Sequence, residues 1–580
     1  MRTLTSRLTI ANLLCAALLI IYAACFWNNL SGRWFDPHVT TDDGFQQVYP
    51  FYAVFHPGIF DNDLITKMMR CYLTPLHYAI CYGVTWLCGD PIMMAHWVML
   101  IQLLLTALFI FLAVDSAAGA AAPAFIAIAW FLHTRTAVSR LTGGLPRGWM
   151  APLLAAFINF LLRGQHLAIL VTLLVGSLLN PMATLLMLAT YGMYLLYGLC
   201  RRDTRKQYIG HTLRFVAVSV LVLAVTLYIT QVPPEIGHMF TYAEASKMPE
   251  YHAGGRFPFI PLAPVKYELA LFGFHPFISW DYSPALYWRR AARPIVLALV
   301  LSLILFGLRR KKRIFDGVFL FSVLGIFVVY AAARVFAFKL YLPDRYLQLP
   351  LSIVIIIAIT AGVWRAFYRA ELNSKDLRSA APSLLALIVL GSFVWCTSGS
   401  GLRGDANFDR FSGMDHGVFE WIGEHTPEKA LFAGRPSFVN PITLFSMRRV
   451  YVSTETAHPF YDRYYEEMKR RYVVALQANY AHNLKELADI CNREGIDYFV
   501  FERDNFYPEA LANTWYSAPF EEEFKKLTAG RSTDDYAYRE LPATVDVKQF
   551  PFMPFKNADA AIVDIHALSA YLSTTAASRG

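Results

Sequence analysis

The chain of 580 residues is 56% hydrophobic and only 16% charged, with a mean hydropathy of +0.38. Soluble globular proteins carry about 25% charged residues, so this composition indicates a membrane protein and excludes an ordinary secreted enzyme with one cleaved signal peptide. Residues 1–400 carry 32 basic and 17 acidic side chains, whereas residues 401–580 carry 20 and 26. The net charge of +9 therefore comes from the loops of a membrane body, and no nucleic-acid partner is expected.

Apolar runs that fit membrane helices recur through the first two thirds of the chain. A helix crosses the hydrocarbon core of a bilayer with about 20 residues. The run 167–199 contains Asn180-Pro181, which would split it into two helices and reverse the topology unless another run fails to span. We expect about 11 to 13 spans, from the runs 8–28, 72–88, 92–114, 117–132, 149–163, 167–199, 209–230, 294–308, 316–333, 346–367 and 382–398.

Basic clusters between these runs set the expected topology. Short loops rich in lysine and arginine stay cytoplasmic, and such clusters occur at Arg201–Lys206, Arg309–Arg313 and Arg365–Arg378. The N-terminus is then cytoplasmic, and the extracytoplasmic segments are the first loop (29–71), the second loop (231–293), residues 334–345 and the tail domain (399–580). This predicts a multi-pass protein of the inner (plasma) membrane, with a membrane body over 1–398; an endoplasmic-reticulum location has the same topology.

The first loop concentrates acidic residues among tyrosine, phenylalanine and proline. Two adjacent carboxylates, Asp42 and Asp43, can serve as a general base and as a ligand for a metal or an acceptor. Their mutual repulsion would raise one pKa unless a cation or metal lies beside them. Asp61 and Asp63 are candidates to complete a divalent metal site with Asp43, with Mg or Mn as cofactor. The alternatives are that acids accumulate in external loops and that Asp61 and Asp63 cap the loop.

Two short segments carry candidate phosphate ligands. In PDRY, at the start of a predicted helix, Arg345 can grip a phosphate with two hydrogen bonds while Asp344 orients it. Lys339 is a further candidate, although snorkelling at the membrane interface explains it as well. In LTGGLPRG, the two glycines would allow close backbone approach beside Arg147.

Histidines in both large external loops are candidate substrate-binding residues. These are His56 in the first loop and His275, with Asp281, in the second. The second loop also fits an interfacial lid with no chemistry of its own, because aromatic residues favour that depth. Neither the histidines nor the cysteines have the spacing of a zinc site.

The tail domain has the pattern of a small α/β unit. Helical segments with paired charges alternate with short apolar strands from VFEWIGEHTPEKALFAG to GIDYFVFER, and no glycine-rich phosphate-binding motif follows a strand. We expect irregular structure from about 541 onward. Cys491 is the only cysteine in the domain, so no disulfide can form within it.

These features together resemble the C-type glycosyltransferase superfamily, whose members carry adjacent acids in the first external loop of a polytopic membrane body. The resemblance implies a polyprenyl-phosphate sugar donor, with Asp42 or Asp43 as base and Arg345 on the lipid phosphate. The acceptor would be a glycan, a lipid or a protein outside the cytoplasm. Trp280-Asp281-Tyr282-Ser283 echoes the WWDYG signature of the oligosaccharyltransferase catalytic subunit, but the first tryptophan and the glycine are missing and the motif precedes the last membrane helices.

Two other functions are also compatible with the sequence. A polysaccharide polymerase or ligase also uses polyprenyl-linked glycans, but depends on arginines in large external loops. A non-enzymatic lipid or glycan transporter would be expected to show inverted repeats, and no clear repeat is visible. A membrane anchor for the tail domain would need one or two spans rather than eleven.

Overall fold

The computed structural model describes residues 10–269, 314–367, 417–513 and 516–579, with seven further positions at 298, 301, 388, 391, 392, 409 and 410. The expected spans 294–308 and 382–398 lie almost wholly outside the described residues. The same holds for His275, Asp281 and the Trp280–Ser283 motif.

Helices make up most of the described membrane body. They are α1 (Ile10–Trp34), α2 (Gly44–Gln47), α3 (Leu64–Cys71), α4 (Pro75–Cys88), α5 (Pro91–Ala118), α6 (Ala121–His133), α7 (Arg135–Ser139), α8 (Met150–Leu162), α9 (His166–Leu179), α10 (Pro181–Cys200), α11 (Arg205–Ile229), α12 (Tyr242–Ala245), α13 (Val265–Glu268), α14 (Gly317–Val335) and α15 (Arg345–Phe367). Short 3₁₀ helices cover Tyr49–Val54, Pro146–Trp149 and Pro249–Tyr251.

Five of these helices are long and apolar enough to cross a membrane: α5, α10, α11, α14 and α15. Three shorter apolar segments lie in α1, α6 and α9. The α11 helix is almost entirely exposed, whereas most of α15 is buried among its neighbours. The predicted fold class, a polytopic helical membrane protein, is confirmed.

Two of the expected spans differ from the structure: one run forms two helices, and another does not cross the body. Their effects on the number of crossings cancel. Asn180 ends α9 and caps α10, accepting a hydrogen bond from Ala183 N at 2.9 Å, so 167–199 is two helices. The second difference concerns the run 72–88, which forms α4. The start of α4 lies beside the end of α9, where Thr74 Oγ1 donates to Leu179 O at 2.9 Å.

The other end of α4 leads directly into α5, on the same face of the body as the first loop. His96, in the second turn of α5, bonds to Trp34 O at 2.6 Å and to Val39 O at 2.9 Å. The start of α4 lies on this face as well. Asn180, which is next to it, donates from Nδ2 to Pro146 O at 3.1 Å, and Pro146 belongs to the LTGGLPRG segment, which contacts Thr41 of the first loop. Both ends of α4 therefore lie on one face, and the run 72–88 does not cross the body.

The tail domain contains a five-stranded sheet. The strands are β3 (Leu431–Gly434), β4 (Arg449–Val450), β5 (Tyr498–Glu502), β6 (Phe555–Lys556) and β7 (Ala560–Asp564). Their order in the sheet is β4-β3-β5-β7-β6, with β3 parallel to β4 and β5, and with β7 antiparallel to β5 and β6. The helices are α16 (Val418–His425), α17 (Ile442–Phe445), α18 (Asp462–Asn479), α19 (Leu484–Glu494), α20 (Pro508–Ala512), α21 (Phe520–Thr528) and α22 (Ile565–Arg579).

The predicted α/β pattern is confirmed, but the expected irregular structure after 541 is wrong. The segment contributes β6, β7 and the helix α22, and β7 pairs with β5 along its whole length. A buried strand of five residues gives only a short apolar run, which lacks the alternation that identifies a half-buried strand.

The tail domain packs directly on the first loop. Tyr52 of that loop donates to Leu444 O of α17 at 2.7 Å, and the Tyr72 hydroxyl lies 3.0 Å from His458 Nδ1. In addition, β1 (Val39–Thr40) pairs antiparallel with β2 (Asp409–Arg410), just before Asp42. The first loop is therefore enclosed between the membrane body and the tail domain.

Candidate active site

The adjacent acids of the first loop occupy different environments. Asp42 is exposed, and its Oδ1 accepts a hydrogen bond from the backbone N–H of Asp43 at 2.9 Å. Asp43 is half-buried and precedes α2 directly. Gly44 follows because a Cβ there would collide with Thr40 Oγ1. Asp42 is therefore open to a substrate, while Asp43 is fixed by its neighbours.

The LTGGLPRG segment brings a cation to Asp43. Gly143 and Gly144 have positive φ angles of 84° and 61°, and a Cβ at Gly144 would collide with the Ala95 carbonyl oxygen on α5. The close approach expected at the glycines thus occurs, against α5 and the first loop. As a result, Arg147 Nη1 donates a hydrogen bond to Asp43 Oδ2. The segment lies on the face of the first loop.

Two more arginines lie beside this ion pair. Arg140, seven residues before Arg147, donates a hydrogen bond to Gln348 Oε1 on α15. Gln348 Nε2 in turn donates to Asp344 Oδ2 at 3.0 Å, and the same carboxylate oxygen lies 3.8 Å from Arg345 Nε. The PDRY segment and the LTGGLPRG segment therefore form one group of polar residues.

Burial and the charges of two neighbouring arginines act together on the pKa of Arg140. Burial, followed by the charges of Arg345 and Arg147, lowers the pKa of Arg140 to about 9. The Nε atoms of Arg147 and Arg345 are buried and make no hydrogen bond to any described residue. We call Arg140, Arg147 and Arg345 the arginine cluster. An anion bound there would relieve the repulsion among the three guanidinium groups, because it would pair with their positive charges.

The tail domain adds a carboxylate on the other side of the acids. Glu455 Oε2 accepts a hydrogen bond from Gln46 Nε2 at 2.8 Å, and its Oε1 lies 3.2 Å from Arg256 Nη2. Burial raises the pKa of Glu455; Arg256 opposes this shift, while the charges of Asp42 and Asp43 add to it. Glu455 is therefore close enough to the acids to interact with them electrostatically.

Aromatic side chains form an apolar wall near the charged groups. The rings of Phe257 and Phe460 are 5.2 Å apart, and Phe460 lies 5.6 Å from His458 and 6.3 Å from Tyr341. Arg256 stacks over Phe257, with its guanidinium carbon 5.1 Å from the ring centroid. The site thus combines anionic, cationic and aromatic surfaces.

The acids predicted to hold a metal have other partners. Asp63 caps α3, accepting hydrogen bonds from Thr66 N at 2.8 Å and from Thr66 Oγ1 at 2.7 Å. Asp61 is exposed beside Gly58, and Asp43 pairs with Arg147. In the described part of the chain, no three histidine, cysteine or acidic residues lie together in a group that could hold a metal ion. These residues do not fit a Mg or Mn site.

Of the remaining predicted residues, two have partly or fully exposed side chains and two lie outside the described residues. His56 is partly exposed, with its Nδ1 3.9 Å from Glu428 Oε1 of the tail domain. Lys339 is exposed on the turn before Asp344. The structure does not describe His275 or Asp281.

Several residues of the site were not among those predicted. Arg140 was missed, although it and the predicted Arg147 bracket the glycine pair in SRLTGGLPRG, and a cation at both ends is a usable signal. Gln46 and Gln348 carry no distinctive pattern in the sequence. Glu455 lies in STETAHPF, more than 400 positions from Gln46, and no local motif connects the two.

Comparison with known proteins gives similarity in structure only. No protein-family model and no curated protein sequence matches the chain. It is similar to an Archaeoglobus fulgidus oligosaccharyltransferase tethered to an acceptor peptide containing the NVT sequon, at a TM-score of 0.49 and 11% identity over 89% of this chain and 72% of that one. A structure of that oligosaccharyltransferase in complex with Zn and sulfate is also similar, with a TM-score of 0.48, 12% identity and coverage of 88% and 70%.

A bacterial structure covers more of both chains. ArnT from Cupriavidus metallidurans bound to undecaprenyl phosphate is similar at a TM-score of 0.46 and 12% identity, over 95% of this chain and 97% of that one. Every TM-score quoted is below 0.5, so these similarities carry no argument about function.

Proposed function

We propose that the protein is a membrane glycosyltransferase that moves a sugar from a polyprenyl-phosphate donor to an extracytoplasmic acceptor, which is a glycan, a lipid or a protein. One observation carries the proposal: the arginine cluster, in which Arg140 and Arg147 bracket one glycine turn and Arg345 starts α15, lies beside Asp43, the neighbour of Asp42. The side chains of Arg147 and Arg345 are each 31% exposed, so their guanidinium groups can donate to phosphate oxygens. A phosphate group and an acceptor hydroxyl can therefore be held side by side.

The proposed reaction is a single displacement at the anomeric carbon. The acceptor oxygen forms a bond to that carbon while the bond from carbon to the phosphate oxygen breaks, which inverts the anomeric configuration. The departing polyprenyl phosphate gains negative charge, and the arginine cluster stabilises it. Asp42 takes the proton from the acceptor hydroxyl, since its carboxylate is exposed; Asp43, paired with Arg147, is the alternative base.

The proposed topology places the site outside the cytoplasm. Asn180 lies at the start of α10 and contacts the Arg147 segment through Pro146 O. The basic segment Arg201–Lys206 follows the other end of α10. The basic residues thus lie on the opposite face from Asp43, in agreement with the rule that positive loops stay inside. We infer a multi-pass inner (plasma) membrane protein with a cytoplasmic N-terminus, a membrane body over 1–398 and an extracytoplasmic tail domain over 399–580.

A polysaccharide polymerase or ligase is the second candidate, and the arginine cluster is what favours it. Such an enzyme would bind the same lipid phosphate but would not need the carboxylate of Asp42. The two candidates therefore differ in whether loss of that carboxylate stops the reaction.

The experiment is a donor panel with the purified full chain. Labelled polyprenyl-phosphate sugars are incubated with the protein and a membrane extract as acceptor, and free polyprenyl phosphate is measured. Release that requires both the protein and the extract supports the proposal and names the donor sugar. A donor that is moved intact across vesicle membranes, with no release, would support the transporter and contradict the proposal.

A further inference from the structure

Glu455 connects the tail domain to the acids of the first loop. Gln46 Nε2 donates to Glu455 Oε2 at 2.8 Å and lies 3.5 Å from Asp43 Oδ1. Gln46 is only 3% exposed, so solvent offers little competition for these contacts. One amide therefore touches a carboxylate from each domain.

Gln46 lies on α2, the short helix that begins immediately after Asp43. A four-residue helix has too few internal hydrogen bonds to fix its own orientation. The contact with Glu455 adds to the packing of the buried Phe45 against Phe445 in holding this helix, which begins beside the Asp43 carboxylate.

Glu455 is itself held firmly. Its backbone N–H donates to Asn440 Oδ1 at 2.9 Å, and the Ser453 and Thr456 hydroxyls on either side are 2.9 Å apart. Arg256 of the second loop occupies the other carboxylate oxygen at 3.2 Å. The carboxylate is thus oriented by the tail domain and the second loop together.

We propose that Glu455 is a positioning residue of the active site, which orients Asp43 through Gln46 and makes the reaction depend on the tail domain. This inference rests on the proposed transferase function. It assigns the tail domain a supporting part in the reaction, because the Glu455 carboxylate holds Gln46 against Asp43.

The test compares Glu455→Ala with Glu502→Ala in the full chain. Glu502 forms a similarly buried ion pair with Arg435, at 2.8 Å, within the tail domain but among residues unrelated to the site. We expect Glu455→Ala, which removes the acceptor for Gln46, to lower kcat by about 10²-fold, the effect of misplacing a reacting group, with the donor KM unchanged. Glu455→Gln keeps an oxygen that can accept from Gln46 and should restore most of the rate, whereas Glu502→Ala should leave kcat as in the wild type.

A double variant separates positioning from folding. If Glu455 acts through Gln46, then Gln46→Ala and Glu455→Ala should each lower kcat, and the double variant should lower it no further. Additive losses, equal losses in Glu455→Ala and Glu502→Ala, or a wild-type kcat in Glu455→Ala would overturn the inference alone. A wild-type protein that releases no polyprenyl phosphate from any donor would overturn the proposed function and this inference with it.

Discussion

Arg147 donates a hydrogen bond to the carboxylate of Asp43, although 104 positions separate the two residues in the chain. The contact depends on Gly143 and Gly144, whose backbone packs where side chains would collide with Thr41 and Ala95. It places a cation beside two adjacent carboxylates whose negative charges repel each other. It also places a guanidinium between the acids and the remaining arginines.

Replacing Arg147 should impair turnover more than binding of the lipid tail. Arg147→Ala removes a donor aimed at the departing phosphate and should lower kcat by about 10²–10³-fold. Arg147→Lys should restore little, since an ammonium is a point charge without the planar fork of a guanidinium. The measurement is the rate of polyprenyl phosphate release.

Arg163 is the matched control for this prediction. It ends α8 at the opposite end from Arg147 and donates to Ser116 Oγ at 2.8 Å. Arg163→Ala should release polyprenyl phosphate at the wild-type rate. Equal rates in Arg147→Ala and the wild type would show that Arg147 does not act on the phosphate.

Asp63 should contribute to stability rather than to metal binding. Asp63→Ala removes the side-chain cap of α3 and should destabilise the protein by about 1 kcal/mol, whereas Asp63→Asn keeps a capping oxygen and should retain wild-type turnover. Thermal unfolding and donor turnover, with and without a chelator, measure both effects. Loss of turnover in Asp63→Asn, reversed by added Mg or Mn, would favour the metal site instead.

His458 should make the protein sensitive to acid. Burial, with a smaller effect from Arg256, lowers the pKa of His458 to about 3, whereas the unfolded chain has a pKa near the ordinary value of 6.5. The unfolded state therefore binds the proton first, and stability is lost as the pH falls from 6.5 towards 3. One proton corresponds to about 1.4 kcal/mol per pH unit at most.

The His458 prediction is checked by unfolding the purified chain across this pH range. His458→Gln can still accept a hydrogen bond from the Tyr72 hydroxyl, so the variant should fold and show a shallower loss of stability in acid. The exposed His482→Gln serves as control and should behave as the wild type. A wild-type slope in His458→Gln would show that other groups cause the acid sensitivity.

The sequence predicts the class of fold well because its signals are local. Apolar runs locate the membrane helices, and Asn180-Pro181 marks the break between α9 and α10 correctly. The sequence does not show that α4 stays on one face, because a largely apolar helix of 14 residues fits either a short span or a surface helix. Only the contacts of Thr74 and His96 decide between the two.

The candidate site is predicted only in part, because its contacts are long-range. Asp42, Asp43, Arg147 and Arg345 carry local signals, such as adjacent acids or a cation at a helix start. Their convergence, by contrast, depends on packing between segments far apart in the chain. Glu455 lies in a segment without chemical motif, and its importance appears only when the tail domain is placed on the first loop.

The most direct test of the central claim compares release of polyprenyl phosphate by the wild type with release by Asp42→Asn, Asp43→Asn and Asp36→Asn. Asp36 lies in the same loop, accepts from the His38 backbone at 2.9 Å and serves as the control acid. If the first-loop acids supply the base, release should fall by about 10²–10⁴-fold in Asp42→Asn or Asp43→Asn and stay unchanged in Asp36→Asn. Unchanged release in both Asp42→Asn and Asp43→Asn would contradict the account and favour the polymerase or ligase.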